Sequence, residues 1–294
     1  MRITQTMISS AVQKHVSTNA ERLFKTQEMI SSGKRIVRPS DDPLGMSQVM
    51  NYRKALSSID QYQRNIGQGT SELEQAESAL NQVGEVLMRA KELALAQNTG
   101  TASPETRKIA ATELIQLRDQ LVQLANTKIG DRYLFGGLKT DAPPYDTTDP
   151  SIGYQGDDGE FQTIIGEGVT LITNANGKQA FSRDADAGKV LSDLITGLED
   201  DDSSVIESQL AELDKVMNQA VDARADIGAK INRTETTALH WESVRFNIEK
   251  NLSETEDTDI TQAIMDLTSQ ETAYQASLTV SARTFQQSLL DFLR

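Results

Sequence analysis

The sequence contains no cysteine and only two histidines among its 294 residues. The lack of cysteine excludes disulfides, thiolate catalysis and cysteine-based metal sites. His15 and His240 lie far apart in the chain, so neither has a second histidine nearby to share a metal ion. A nucleophile, a base and an orienting group cannot be assembled from these residues. We therefore expect no enzyme, no metal site and no cofactor.

Long apolar runs and excess positive charge are also missing. The longest apolar runs are a few residues, far short of the roughly 20 that span a bilayer, so we expect no membrane insertion. The first seven residues lack the apolar segment and cleavage site of a secretory signal, which predicts that no signal peptide is cleaved. The net charge of -14 argues against nucleic acid as a partner, because neutralising phosphates needs clustered Lys and Arg.

Heptad-like apolar patterns occupy both ends of the chain. Steps of three, four and seven residues are typical of a coiled-coil helix. One amphipathic helix cannot bury its apolar stripe alone, so each end needs a partner, either within the chain or in a neighbouring molecule. The positions are Ile8, Val12, Val16, Leu23 and Ile30 near the N-terminus, and Ile260, Ile264, Leu267, Tyr274, Leu278, Phe285, Leu289 and Phe292 near the C-terminus.

The two end segments carry opposite charge. Residues 1–40 hold seven Lys and Arg against two Glu, and residues 254–294 hold seven Asp and Glu against two Arg. Opposite charges favour a defined register between partners more than they add raw stability. We therefore expect the N- and C-terminal helices to pair.

The middle of the chain changes character twice. Long helical periodicity predicts a coiled-coil rod, whereas a segment rich in Gly, Asp, Thr and Pro predicts a small β-rich insert. The expected fold class is mostly α, with a long antiparallel helical rod and a β domain inserted mid-chain. The expected domains are residues 1–42 (N-terminal helix and turn, grouped with 254–294), 43–130 (helical hairpin), 131–187 (β-rich insert), 188–253 (returning helices) and 254–294 (C-terminal helix).

Strands and turns are assigned from local composition. The runs 132–135, 152–154, 161–165 and 169–173 are predicted strands. The segments 156–159 and 176–177 carry Gly with Asp or Asn and are typical of hairpin turns, and 166–168 is also expected to be a turn.

A proline-flanked acidic pair follows the first helix. Pro39 and Pro43 bias the preceding residues toward extended backbone, which predicts a fixed turn. Asp42 before Pro43 is a favourable N-cap for the next helix. Arg35 and Arg38 lie close to this acidic pair in sequence, and their charges leave two uses open, a contact between subunits or a local ion pair.

Several of these segments together resemble the flagellin superfamily. The quoted stretches are Met1-Arg2-Ile3, Ser32-Gly33-Lys34-Arg35-Ile36, Arg38-Pro39-Ser40-Asp41-Asp42-Pro43-Leu44-Gly45, Gly130-Asp131-Arg132-Tyr133-Leu134-Phe135-Gly136-Gly137, and Ser277-Leu278 to Phe292-Leu293. The prolines that flank the acidic pair and the tail 290–294 depart from the filament proteins. These departures favour the branch of the superfamily that joins hook to filament.

The resemblance implies a function as well as a fold. It implies an extracellular structural adaptor of the bacterial flagellum that assembles as a ring of its own subunits. The first hook-associated protein and flagellin are the implied neighbours, and an export chaperone is the implied partner before secretion. Two alternatives remain, a filament flagellin and a non-flagellar dimerising coiled coil.

We expect the contact between subunits to use the apolar seams and the turn. The expected interface residues are Ile8, Val12, Leu23, Ile30, Arg35, Arg38, Asp41, Asp42, Leu278, Phe285, Leu289 and Phe292.

Overall fold

The computed structural model describes residues 5–99 and 102–292, with side chains for 7–99 and 102–283. Most of the described chain is helical, with two small antiparallel pairs of strands, and the expected fold class is confirmed. The helices are α1 (Gln5–Ser32), α2 (Pro43–Gln97), α3 (Pro104–Ala125), α4 (Gly177–Phe181), α5 (Ala187–Glu199), α6 (Ser203–Glu256) and α7 (Ile260–Phe292).

Acidic and hydroxyl side chains begin these helices. Ser103 caps α3 by accepting a hydrogen bond from the backbone N–H of Thr106. Asp202 and Asp259 each end an acidic run of the sequence (199–202 and 254–259), and they accept N–H bonds at the first turns of α6 and α7. These caps satisfy N–H groups that have no partner inside the helix, so the acidic runs mark where helices start.

Two of the predicted strands, 161–165 and 169–173, are present with bounds shifted by one residue, and the others are shorter or absent. The strands are β1 (Lys128–Ile129), β2 (Arg132–Tyr133), β3 (Gln162–Gly166) and β4 (Val169–Ile172). The turn predicted at 166–168 is present and joins β3 to β4, with Gly168 at φ 69°. Residues 132–135 pair only over two positions, because the tight β1–β2 turn at Gly130 leaves a two-residue ladder.

Three local predictions in this region are wrong. Residues 152–154 do not form a strand; Pro150–Ile152 is a 3₁₀ helix, which Asp149 caps and Pro150 starts. Nor does the Asn176-Gly177 pair close a hairpin. The Asn176 side chain accepts the N–H of Gln179 and so caps α4, a use that Asn favours as much as a turn. The 156–159 segment is a loop without flanking strands, held by the Asp157 carboxylate.

The chain divides into two compact units, which are described separately. Unit 1 comprises residues 1–58 and 244–294, and unit 2 comprises residues 59–243. In unit 1, α1 packs against α7. None of the described helices is long and apolar enough to cross a membrane.

Unit 2 is built around α2 and α6, which run antiparallel. Hydrogen bonds and ion pairs join the helices from Thr70–Thr234 (3.0 Å) through Glu77–Arg224 (2.6 Å) to Lys91–Asp214 (2.6 Å). Buried Leu, Ala and Val side chains of these two helices, α3 and α5 form one apolar core. Phe135, Tyr145 and Phe181 extend this core beneath the loops, with edge-to-face ring contacts.

The β3–β4 hairpin of unit 2 contacts α6 through Trp241. The indole Nε1 of Trp241 donates to the carbonyl oxygen of Ile165 at 2.7 Å, and the indole ring lies 5.1 Å from the ring of Tyr62. Ile66, Ile165 and Leu171 form a small buried cluster beneath it. Trp241 therefore packs against this cluster and also holds the hairpin by a hydrogen bond.

Buried Arg107 ties together two connections at the end of unit 2. Its guanidinium donates to the carbonyl oxygen of Gln97 (3.2 Å), to Asp201 and to the Ser203 hydroxyl (3.2 Å). The side chain is only 7% exposed. One cation therefore satisfies acceptors from the α2–α3 and the α5–α6 connections, and its removal leaves several of them unpaired.

We predict that Arg107→Ala lowers the free energy of unfolding of unit 2 by about 2 to 3 kcal/mol, because hydrogen bonds to a buried charged group are lost. Trp241 is the only tryptophan and lies in unit 2, so its fluorescence during urea denaturation measures this. Lys215→Ala is the matched control, since its ion pair with Glu212 is exposed on one helix face and contributes below about 0.5 kcal/mol. Equal effects of both variants would contradict the prediction.

Candidate assembly site

The most buried positions between α1 and α7 are occupied by small and polar side chains. Thr26 is 7% exposed, and its hydroxyl lies 2.9 Å from the amide oxygen of Gln270. On α7 the buried residues are Ala263 and Ser281. Half-buried Leu267 and Tyr274 lie on the same stripe, at steps of three and four residues. The seam that joins the two helices therefore has little large apolar surface of its own.

Three of the predicted α1 positions lie on the side of this seam. Val12, Leu23 and Ile30 share the helix face of buried Thr26 and are half-buried. These residues contribute to the contact within the chain. Their part in a contact between subunits stays a prediction.

Large apolar side chains of both helices face outward instead. Leu278 and Ile264 on α7 are 43% and 49% exposed, although both belong to the predicted seam. The stripe of α7 that meets α1 is thus rotated away from its most apolar stripe. The exposed apolar residues of the pair are Met7, Ile8, Phe24, Ile260, Ile264, Met265, Leu278 and Val280.

The turn after α1 is held by its acidic pair, in addition to the prolines from which the turn was predicted. Gly33 follows the helix with φ 71°, a conformation that glycine adopts without strain. Asp41 accepts the N–H groups of Val37 (3.3 Å) and Arg38 (3.0 Å), and Lys25 lies 2.8 Å from its other oxygen. These bonds and the charge hold the pKa of Asp41 below its ordinary value, with the hydrogen bond from Lys25 contributing most.

The start of α2 closes tightly against this turn. Asp42 caps the helix by accepting the N–H of Gly45 at 2.9 Å. A Cβ atom at position 45 would lie 2.5 Å from both the Asp42 carboxylate and the Ile36 side chain. The glycine of the Asp-Asp-Pro-Leu-Gly motif is therefore required by packing, since Ile36 is only 1% exposed.

A buried carboxylate joins this turn to the break between α6 and α7. Glu256 is 4% exposed, and its carboxylate lies 2.6 Å from the Lys34 ammonium and 2.5 Å from the Arg53 guanidinium. Its carbonyl oxygen accepts the N–H of Arg35 at 2.7 Å, and the N–H of Thr258 donates to the carbonyl oxygen of Gly33. The opposite charges expected at the two ends thus meet at a defined point.

The predicted charged residues make local contacts. Arg35 donates to the carbonyl oxygen of Thr255 at 2.7 Å and lies 3.8 Å from Asp42, while Arg38 pairs with Glu28. A role between subunits stays a prediction for all four charged positions. The side chains of Phe285, Leu289 and Phe292 lie outside the described residues.

Sequence reasoning missed Gln270, Glu256 and Arg53. The charge balance of the end segments indicated an electrostatic contact, but it named no pair. Polar residues within a heptad seam are the signal that would have found Gln270. Among the described residues no group of three His, Asp or Glu is placed to hold a metal ion, and His240 lies beside Trp241, with ring centroids 5.5 Å apart.

Comparison with known families covers both ends of the chain. Residues 3–140 match the bacterial flagellin N-terminal helical region, and residues 210–293 match the bacterial flagellin C-terminal helical region. The chain belongs to the flagellin family. These two matches include the α1–α7 pair and most of α2 and α6, so the family's shared part contains the assembly site described above.

Individual relatives of this flagellin-family chain span nearly its whole length. Flagellar hook-associated protein 3 of Escherichia coli strain K12 is 28% identical, over 94% of this chain and 95% of its own. A solved structure of a flagellar hook-associated protein from Vibrio parahaemolyticus has 23% identity and a TM-score of 0.69, and covers 74% of this chain and 100% of its own. A flagellar junction protein from Legionella pneumophila has 16% identity and a TM-score of 0.57, covering 73% and 100%.

We predict that the Asp41 contacts make stability depend on acid pH. The pKa of Asp41 is lower in the folded chain than its ordinary value of 3.8, so the unfolded chain binds the proton more readily. The stabilisation is complete above that ordinary value and is lost as pH falls through the lowered folded-state pKa. Thermal unfolding followed by circular dichroism should therefore separate wild type from Asp41→Asn at pH 6, with a gap that shrinks below pH 3.8.

The matched control for this measurement is Asp266→Asn, an exposed carboxylate on α7 that holds no turn. A wild-type-to-Asp41→Asn gap that stays constant from pH 6 to pH 2 would contradict the role given to the Asp41 charge.

Proposed function

We propose that this chain is a structural adaptor of the bacterial flagellum, which forms the hook–filament junction on which flagellin polymerises. Membership of the flagellin family and the end-to-end similarity to a hook-associated protein 3 support this function. The chain interacts with itself and with other flagellar components. The proposal assigns it no catalytic role.

The observation that carries the proposal is the outward apolar surface of the α1–α7 pair. If the α1–α7 pair needed no partner, its largest apolar side chains would lie between its own two helices. Here Thr26 and Ser281 take the most buried positions and Gln270 bonds to Thr26, while Phe24, at 63% exposed, and the outer residues of α7 face away. Burying each large apolar side chain contributes about 1.5 to 3 kcal/mol, so neighbouring copies stabilise each other by covering them.

The polar seam has a separate use in this proposal. A hydrogen bond such as Thr26–Gln270 contributes little net stability, but a polar pair in an otherwise apolar heptad specifies register and partner. The two helices are thereby aligned before they are buried. The outward apolar surface of the α1–α7 pair then has one defined shape for contacts with neighbouring copies.

The finer assignments follow the family resemblance. We propose a ring of copies, with the first hook-associated protein and flagellin as neighbours on its two sides. We also propose export through the flagellar channel without a cleaved signal, and an export chaperone as the partner before secretion. Ile8 and Leu278 are among the predicted interface residues, and their outward position supports a contact between copies.

A filament flagellin is the second candidate, because the matching family models are those of flagellin itself. A non-flagellar coiled coil has no support once the family is known. Light scattering of the purified chain at high concentration separates the two remaining functions. A flagellin forms long filaments alone, whereas the adaptor does not.

We predict that Ile264→Asp and Leu278→Asp each abolish incorporation into flagella and filament growth, in cells whose own copy is deleted. Both side chains are already exposed in the isolated chain, so its helicity and thermal unfolding should change little. Immunoblots of sheared flagella and circular dichroism of the purified variants measure the two effects.

Ser269→Asp provides the matched control, since it adds the same charge to an exposed polar position of α7. It should leave assembly intact. Normal filaments on cells that carry Ile264→Asp or Leu278→Asp would contradict the proposed role of this surface in assembly. A large loss of monomer helicity would instead place these side chains in a contact within the chain.

A further inference from the structure

Gly84 stands in the interior of α2 without a reason inside the chain. Glycine in a helix interior costs about 1 kcal/mol relative to alanine. A Cβ atom added at Gly84 would meet no described atom within 4 Å. Neither close packing nor a left-handed backbone among the described residues requires the glycine. A role for Gly84 therefore lies in a contact with another molecule.

A groove opens in unit 2 beside this glycine, between α2 and α6. Its volume is about 310 Å³. Met88 and Val221 form its walls and are 52% and 62% exposed. The lining residues are Leu80, Asn81, Gly84, Glu85, Met88, Met217, Ala220, Val221 and Arg224. The missing side chain at position 84 deepens the groove enough to admit an apolar side chain from another helix.

A matching projection lies on α3 of the same unit. Ile109 is 70% exposed, which is unusual for an isoleucine in a helix that otherwise faces a core. Lys108 precedes it and is exposed. Lys108 and Glu85, which lies at the rim of the groove, have no ion-pair partner among the described residues. The projection and the rim of the groove thus carry opposite charges that are unpaired in the described part of the chain.

The groove and the projection lie on different sides of α2. The Arg89–Glu113 ion pair, at 2.8 Å, shows that position 89 faces α3. Gly84 precedes it by five residues, which at 3.6 residues per turn is a rotation of about 140°. Two complementary surfaces on different sides of a subunit make a head-to-tail contact, and such contacts close into rings when the rotation per subunit permits.

We propose that the Gly84 groove of one copy receives Ile109 of a second copy, with Lys108 of that copy beside Glu85. The contact is separate from the surface of the α1–α7 pair, and it rests on the proposed function only for the ring in which it forms. A contact of this size is small compared with stable interfaces, so it forms in the assembly and not between free copies.

The absence of cysteine makes the contact directly testable by cross-linking. One variant carries Ile109→Cys, a second carries Val221→Cys, and a third carries both. Each is expressed in cells whose own copy is deleted, and sheared flagella are treated with a short bismaleimide cross-linker. The doubly substituted chain should give a ladder of products on a denaturing gel. Co-expression of the two single variants should give dimers, and each single variant alone should give monomer.

The control pairs Val221→Cys with Gln120→Cys, an exposed position near the other end of α3, and should give no product. A ladder equally strong in this control would overturn the proposal, as would dimers from either single variant alone. Monomer from the doubly substituted chain, on flagella that carry filaments and contain the chain, would overturn this inference and leave the adaptor function standing. Flagella that lack even the wild-type chain would overturn both.

Discussion

The structure of unit 1 depends on one constraint, which is that small and polar side chains occupy the most buried positions between α1 and α7. Thr26, Gln270 and Ser281 cannot supply much burial energy, so the pair keeps large apolar surface outside. A stripe of this kind is costly for a free monomer and favourable in an assembly. The proposed contacts between copies would bury this exposed apolar surface.

The remainder of unit 1 holds this pair in place. Asp41 and Asp42 organise the turn after α1, and Gly45 lets α2 begin against buried Ile36. Glu256 then joins this turn to the α6–α7 break through Lys34 and Arg53. A buried carboxylate between two cations adds little net stability, because desolvation offsets attraction, but it favours one arrangement over others. The opposite charges of the end segments therefore determine how these segments are arranged more than how stable they are.

Much of the helical architecture could be predicted, since heptad periodicity, caps and prolines are local signals. Helix α2 begins at Pro43 because Asp42 caps it, and Asp followed by Pro is a helix-start signal that can be recognised in the sequence. The errors fall where competing local uses exist. Asn176 caps a helix where a hairpin turn was equally compatible with its chemistry, and Asp149 with Pro150 starts a 3₁₀ helix in place of a strand.

The rotation of α7 could not be predicted either, because periodicity shows that a stripe exists but not which neighbour covers it. Ile264 and Leu278 belong to the apolar stripe, yet α1 covers Ala263 and Ser281. A reconstruction of the assembled junction at side-chain resolution tests this directly. We predict that Phe24, Ile264 and Leu278 are buried against neighbouring copies, while Thr26 and Gln270 stay paired within each copy. Exposure of those apolar side chains in the assembly, or pairing of Thr26 with another copy, would contradict the account.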